Sequence, residues 1–113
     1  MKMKQMICWV TNDERKEILK SDIKNIIFTS NYIDFIDYLK DSLDHYGVLS
    51  LYNLFENKDN FIEFSKNFPS IIFRVLNNDD FVIDDISVLT DGNFRYIFTN
   101  IKDLVYLSMS LRV

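Results

Sequence analysis

The spacing of apolar residues along this chain switches repeatedly between a strand-like and a helix-like period. "QMICWV" (Gln5–Val10) is a short, nearly continuous apolar run, the pattern of a strand buried on both faces. "DERKEILK" follows, with Asp13 where an acidic residue favours a helix N-terminus and with Ile18, Leu19 and Ile23 on one face. "NIIFTS" (Asn25–Ser30) predicts a second strand. Ser30 or Asn31 can cap a second helix, on which Ile33, Ile36, Leu39, Leu43 and Tyr46 keep the helical period and Gly47 supplies an end. "VLSLYNLF" (Val48–Phe55) predicts a third strand. "NKDNFIEFSKNF" predicts a helix with Asn57 as cap, Phe61, Phe64 and Phe68 facing inward, and Pro69 as its stop. "SIIFRVL" (Ser70–Leu76) is a fourth strand, followed by the polar break "NNDD". Over Asp80–Thr90 two patterns compete: "FVIDD" as a strand, or Val82, Ile86 and Leu89 on a helix closed by Gly92. "FRYIFTN" predicts the fifth strand, and Ile101, Leu104, Val105, Tyr106 and Met109 mark a terminal helix.

Five strands separated by single helices imply a parallel sheet, because each helix returns the chain over the sheet by a right-handed crossover. The expected fold is therefore an α/β three-layer sandwich: a five-stranded parallel sheet in the order 2-1-3-4-5 with helices on both faces, of the flavodoxin-like type. Ligands of such sheets bind beyond the carboxyl ends of the strands. With 113 residues, two glycines and one proline, the chain reads as a single domain, 1–113, without a long linker.

Composition narrows the function classes. A net charge of −4 and scattered rather than clustered lysines argue against nucleic acid as a partner. No stretch approaches the roughly 20 apolar residues of a membrane span, and "MKMKQMICWV" lacks the long core and cleavage site of a signal peptide, so a cytoplasmic, membrane-free protein is expected. The single cysteine permits no intrachain disulfide, which suits a reducing compartment.

Several chemistries find no residues to perform them. There is no glycine-rich phosphate loop, one histidine (His45) cannot build a histidine-based metal site, and no G-x-S-x-G elbow is present. His45 reads as a surface residue or a partner of a helix C-terminus. Cys8 lies inside the first strand, with no small loop-forming residues between it and Arg15, and reads as a buried, inert thiol. No catalytic residue, cofactor or metal is expected.

The segment "NNDDFVIDDISVLTDGNFRYIFTNIKDLVYLSMSL", together with the first strand "MICWVTND", resembles the receiver domain of bacterial response regulators over essentially the whole chain. The likeness lies in the order of elements, and the first helix is about one turn shorter than is usual in receivers. Receivers pass a phosphoryl group to an aspartate at the end of the third strand, with an acidic pair holding Mg²⁺ after the first strand, a hydroxyl ending the fourth and a lysine ending the fifth. Carried onto this chain, the acidic pair falls on Thr11 and Asn12 with Asp13 beside them, and the acceptor on Tyr52 or Asn53. The hydroxyl position falls on Val75 or Leu76, and the lysine position on Thr99. Thr11, Asn12, Asp13, Asn53 and Thr99 would then be a degenerate receiver pocket, unable to attract a divalent ion or accept a phosphoryl group. Loop caps and turns account for the same residues.

The resemblance thus implies a non-enzymatic pseudo-receiver, a phosphorylation-independent protein-interaction or regulatory module in signalling. Its expected surface is the fourth helix, fifth strand and fifth helix, with Tyr96, Tyr106 and Met109 as contact residues and an unidentified protein or a second copy (a homodimer) as partner. The same side chains could equally pack on the sheet. Asp79-Asp80 and Asp84-Asp85 could meet a cation or a basic partner, or simply be solvated. The alternative function is a small-molecule-binding or enzymatic flavodoxin-like domain using the carboxyl edge. A third is an accessory protein of unrelated α/β topology, which a different strand order would favour.

Overall fold

A computed structural model describes residues 5–41, 45–76 and 94–110. The chain order is β1 (Met6–Trp9), α1 (Asn12–Lys20), β2 (Ile26–Phe28), α2 (Tyr32–Asp41), β3 (Tyr46–Ser50), α3 (Leu51–Glu56), α4 (Lys58–Asn67), β4 (Phe73–Leu76), β5 (Tyr96–Thr99) and α5 (Ile101–Ser110). All four strand pairings are parallel, and the sheet order is β2-β1-β3-β4-β5. The expected flavodoxin-like architecture is therefore present, and a sheet of different order is not. Asp80–Thr90, Gly92, Leu43 and the acidic pairs Asp79-Asp80 and Asp84-Asp85 lie outside the described residues.

Because side chains alternate along a strand, each strand feeds two cores. Ile7, Leu49, Phe73 and Val75 pack with Phe35, Ile36 and Leu39 of α2, Leu51 and Leu54 of α3, and Phe61 and Phe64 of α4. Met6, Cys8, Val48 and Leu76 face the other way, onto Ile18 of α1 and Leu104 of α5. The first core is rich in aromatic contacts. Phe61 meets Phe73 edge-on at 5.5 Å, and Phe94 stacks on Phe73 at 4.9 Å, arrangements that stabilise beyond area burial alone.

Four local readings need correction. The second helix is Tyr32–Asp41, and Tyr46 and Gly47 belong to β3 rather than to its end. Gly47 serves packing: a Cβ there would lie 3.1 Å from Leu39 Cδ1 and 3.2 Å from Phe73 Cδ1. The third strand stops at Ser50, whose hydroxyl accepts from Asn53 N at 3.0 Å and starts α3, so Leu51–Phe55 is helical rather than extended. Ile33 is exposed on α2, and Phe35 takes the inward place. Leu19 likewise faces out of α1, leaving Ile18 to the core.

The ends of α5 are fixed by polar groups. Asn100 Oδ1 accepts from Asp103 N at 2.8 Å and caps the helix. Near the other end, fully buried Ser108 accepts from Lys24 N at 2.9 Å and donates to Lys24 O at 3.1 Å, tying α5 to the chain entering β2. The next residue, Asn25, has φ 60°, a left-handed conformation that asparagine tolerates better than most.

Candidate functional site

At the carboxyl edge the strand ends fall in register. Ser50 pairs with Leu76, and Leu76 with Thr99, so these three residues form one row across β3, β4 and β5. β1 joins this edge through Trp9, which pairs with Leu49. The end of the third strand is thus Ser50, three residues before Asn53 and two before Tyr52. The shift follows from the strand-to-helix switch at Ser50.

Thr11 leaves β1 and becomes the N-cap of α1. Its Oγ1 accepts from Glu14 N at 3.3 Å, while Glu14 Oε1 accepts from Thr11 N and from Thr11 Oγ1, both at 2.9 Å. This capping box draws the Glu14 carboxylate inward until only 3% of the residue is exposed. Asn12 and Asp13, by contrast, stand exposed on the first turn. Asn53 is half-buried on α3, and its Nδ2 donates to Trp9 O at 3.0 Å, pinning α3 to the end of β1. Thr99 is buried at the end of β5, its Oγ1 donating to Asn100 O at 3.4 Å.

Between α1 and α3 lies a depression of about 160 Å³. Thr11, Glu14, Ser50, Leu51, Tyr52, Phe55 and Leu76 line it. Of the five sequence-selected pocket residues, the structure brings Thr11 to this depression and Asn53 to its supporting helix. Asn12 and Asp13 stay in the first turn of α1 with their side chains in solvent, and Thr99 lies on the far side of β4. Glu14 is the acidic residue the sequence reading passed over. The spacing T-x-x-E, Thr11 to Glu14, was the available signal, since it marks a helix start whose acid folds back on the cap. Ser50 was passed over as well, because its stretch read as strand.

The other candidates separate. Tyr96 lies half-buried with the α2–α4 core, stacked on Phe94 at 6.2 Å and edge-on to Phe98 at 5.2 Å. Tyr106 and Met109 are 61% and 57% exposed on α5, which covers the opposite side of the sheet. The exposed β5 residue on α5's side is Ile97. Cys8 is fully buried, and burial pushes its thiol pKa far above the ordinary value. His45 is half-buried before β3, where its Nδ1 accepts from Gln5 N at 3.2 Å and continues the β1–β3 contact. Tyr52 is exposed, and its hydrogen bond to Glu56 and the negative charge there raise its phenol pKa.

Among the described residues no group of three or more His, Cys, Asp or Glu side chains is placed to hold a metal, and no helix is long and apolar enough to cross a membrane. Comparisons with protein-family models, with curated proteins and with solved structures give no match.

Proposed function

We propose that this chain is a pseudo-receiver: a non-enzymatic, phosphorylation-independent interaction or regulatory module that keeps the receiver order of elements without its chemistry. One observation carries the reading. The register row at the carboxyl edge is Ser50, Leu76 and Thr99, so the third strand ends without a carboxylate and the fifth without a lysine. Glu14, the carboxylate that lines a depression together with Ser50 and Leu76 of that row, is turned onto Thr11 as part of a helix cap. An acyl-phosphate acceptor and a fixed countercharge for the transferred oxygens are both lacking there. On this reading the protein acts through its surface, and the exposed Tyr106 and Met109 of α5 are the contact residues for a protein partner or a second copy.

Treatment with a small acyl-phosphate donor and Mg²⁺, followed by intact-mass measurement, tests the chemistry. The expected result is no phosphoryl adduct, and an amide NMR spectrum unchanged by Mg²⁺ and beryllofluoride. An acid-stable, base-labile adduct on an Asp or Glu side chain would overturn the proposal. The second reading, a small-molecule-binding domain, draws on a different observation: the depression beside Glu14, at the edge where open parallel sheets bind ligands.

A further inference from the structure

Glu14 is a carboxylate withdrawn from water without a cation. Among the described residues both of its donors come from Thr11, a backbone N–H and a hydroxyl, and both reach the same oxygen, Oε1. Among the described residues no lysine, arginine or histidine pairs with it. The neighbouring Arg15 is engaged elsewhere, its guanidinium 4.6 Å above the Phe28 ring. The N-terminus of α1 offsets part of the cost of burying this charge, and a cation arriving from solvent relieves the rest.

The depression that Glu14 borders is otherwise mostly apolar, through Leu51, Phe55 and Leu76, with Tyr52 at its margin. Its volume of about 160 Å³ is close to the ~150 Å³ cavity that accommodates benzene. Aromatic rings at such a site favour a cation over an anion. Glu56, hydrogen-bonded to Tyr52, adds a further carboxylate beside a lining residue. Phosphate-like anions meet repulsion here, which distinguishes this site from the receiver pocket.

The geometry points to a binding site for a small organic cation: a primary amine on an apolar body about the size of one benzene ring. Its ammonium pairs with Glu14, with Ser50 and Thr11 as the other polar groups in the wall, and its body lies against Leu51, Phe55 and Leu76. This inference rests on the small-molecule reading of the carboxyl edge. It is independent of whether the chain accepts phosphate, so a failure here leaves the phosphodonor result untouched, and the reverse also holds.

The test is an amide NMR titration of the full chain with benzylamine, benzoate and benzyl alcohol, three ligands of matched body and different charge. Benzylamine should shift Thr11, Glu14 and residues 50–55 saturably, with a dissociation constant on the order of 1 mM, the range open to so small a ligand. Benzoate should leave those signals in place, and benzyl alcohol should bind more weakly than the amine. Glu14→Gln keeps a capping-box side chain while removing the charge, and it should weaken benzylamine at least about tenfold. Benzoate binding as tightly as benzylamine, no shift with any ligand, or an unchanged affinity in folded Glu14→Gln would overturn the proposal. If Glu14→Gln does not fold, the amine-against-acid comparison on the unaltered chain decides alone.

Discussion

Ser108 and Ser65 are both buried serines on helices, yet the same replacement by alanine should move stability in opposite directions. Ser108 on α5 holds both backbone groups of Lys24, at 2.9 and 3.1 Å. Ser108→Ala deletes two hydrogen bonds at about 1 kcal/mol each and leaves the Lys24 N–H and C=O to find water at a part-buried site, a total near 2–3 kcal/mol. Alanine's better helix propensity offsets about 0.5 kcal/mol, so the net loss is about 2 kcal/mol. Ser65 on α4 is 4% exposed, and among the described residues its Oγ has no hydrogen-bond partner. Ser65→Ala removes an unpaired buried hydroxyl and gains the same propensity term, a net stabilisation of about 1 kcal/mol. For a chain of 113 residues, 1 kcal/mol corresponds to about 4 °C in Tm, which gives a fall of about 8 °C for the first variant and a rise of about 4 °C for the second. Thermal melts followed by circular dichroism, with urea titrations to give the free energies, measure both. Ser110→Ala, at an exposed position on the same helix, is the control and should shift little. A Ser108→Ala variant within 0.5 kcal/mol of the parent, or a Ser65→Ala variant as damaged as Ser108→Ala, would refute the hydrogen-bond reasoning.

Gly47→Ala should destabilise by about 1–2 kcal/mol in urea titration, because the new Cβ meets Leu39 and Phe73 at 3.1 and 3.2 Å and the gain from a stiffer unfolded chain is smaller than that overpacking; a more stable variant would show that Leu39 yields freely. Cys8 should resist thiol reagents at neutral pH until the chain is unfolded. Burial raises its folded-state pKa above the ordinary value of about 8.5, so the native thiol keeps its proton where the unfolded one loses it. The Cys8 contribution is therefore fully present below about pH 8.5 and declines above it, by up to about 1.4 kcal/mol per pH unit. Cys8→Ala should flatten the alkaline loss of stability, and an unchanged slope between pH 7 and 10 would count against this account.

The sheet was legible because its central strands are buried on both faces. Runs such as "MICW" and "FRVL" carry apolar residues to both cores, and the helices between them show their period through a few large side chains, Phe61 and Phe64 above all. Boundaries were harder where no glycine or proline marks them. At Ser50 the chain passes from strand to helix within an unbroken apolar stretch, and the only local sign is a serine able to cap. Gly47 misled in the other direction: it looks like a helix terminator, but its missing side chain makes room for Leu39 in mid-strand. Ile33 was placed inward because it lies three residues before Ile36, and Leu19 because it lies four before Ile23. A helix of nine or ten residues with a narrow buried stripe leaves such positions free to face water. Glu14 escaped notice for a related reason, since composition treats an acidic residue in a first helical turn as a solvated charge.

The carboxyl edge repeats one device at the ends of β1, β3 and β5. Thr11 caps α1, Ser50 caps α3 and Asn100 caps α5, while Asn53 ties α3 to Trp9. Each of these four polar side chains is thereby given a backbone partner within a few residues or on the adjoining strand. A phosphoryl-transfer site needs the opposite arrangement, with carboxylates and a cation held apart from local partners and aimed at one point. The turn from β5 into α5 at Thr99-Asn100 follows the same logic: Asn100 starts the helix, and Thr99, buried in the row with Leu76 and Ser50, ends the strand with no charge to offer. Glu14 departs from this economy of neutral caps. A glutamine would keep the capping-box hydrogen bonds, while the charge adds a favourable interaction with the N-terminus of α1, and the apolar depression beside it is where the same charge can also meet a cation.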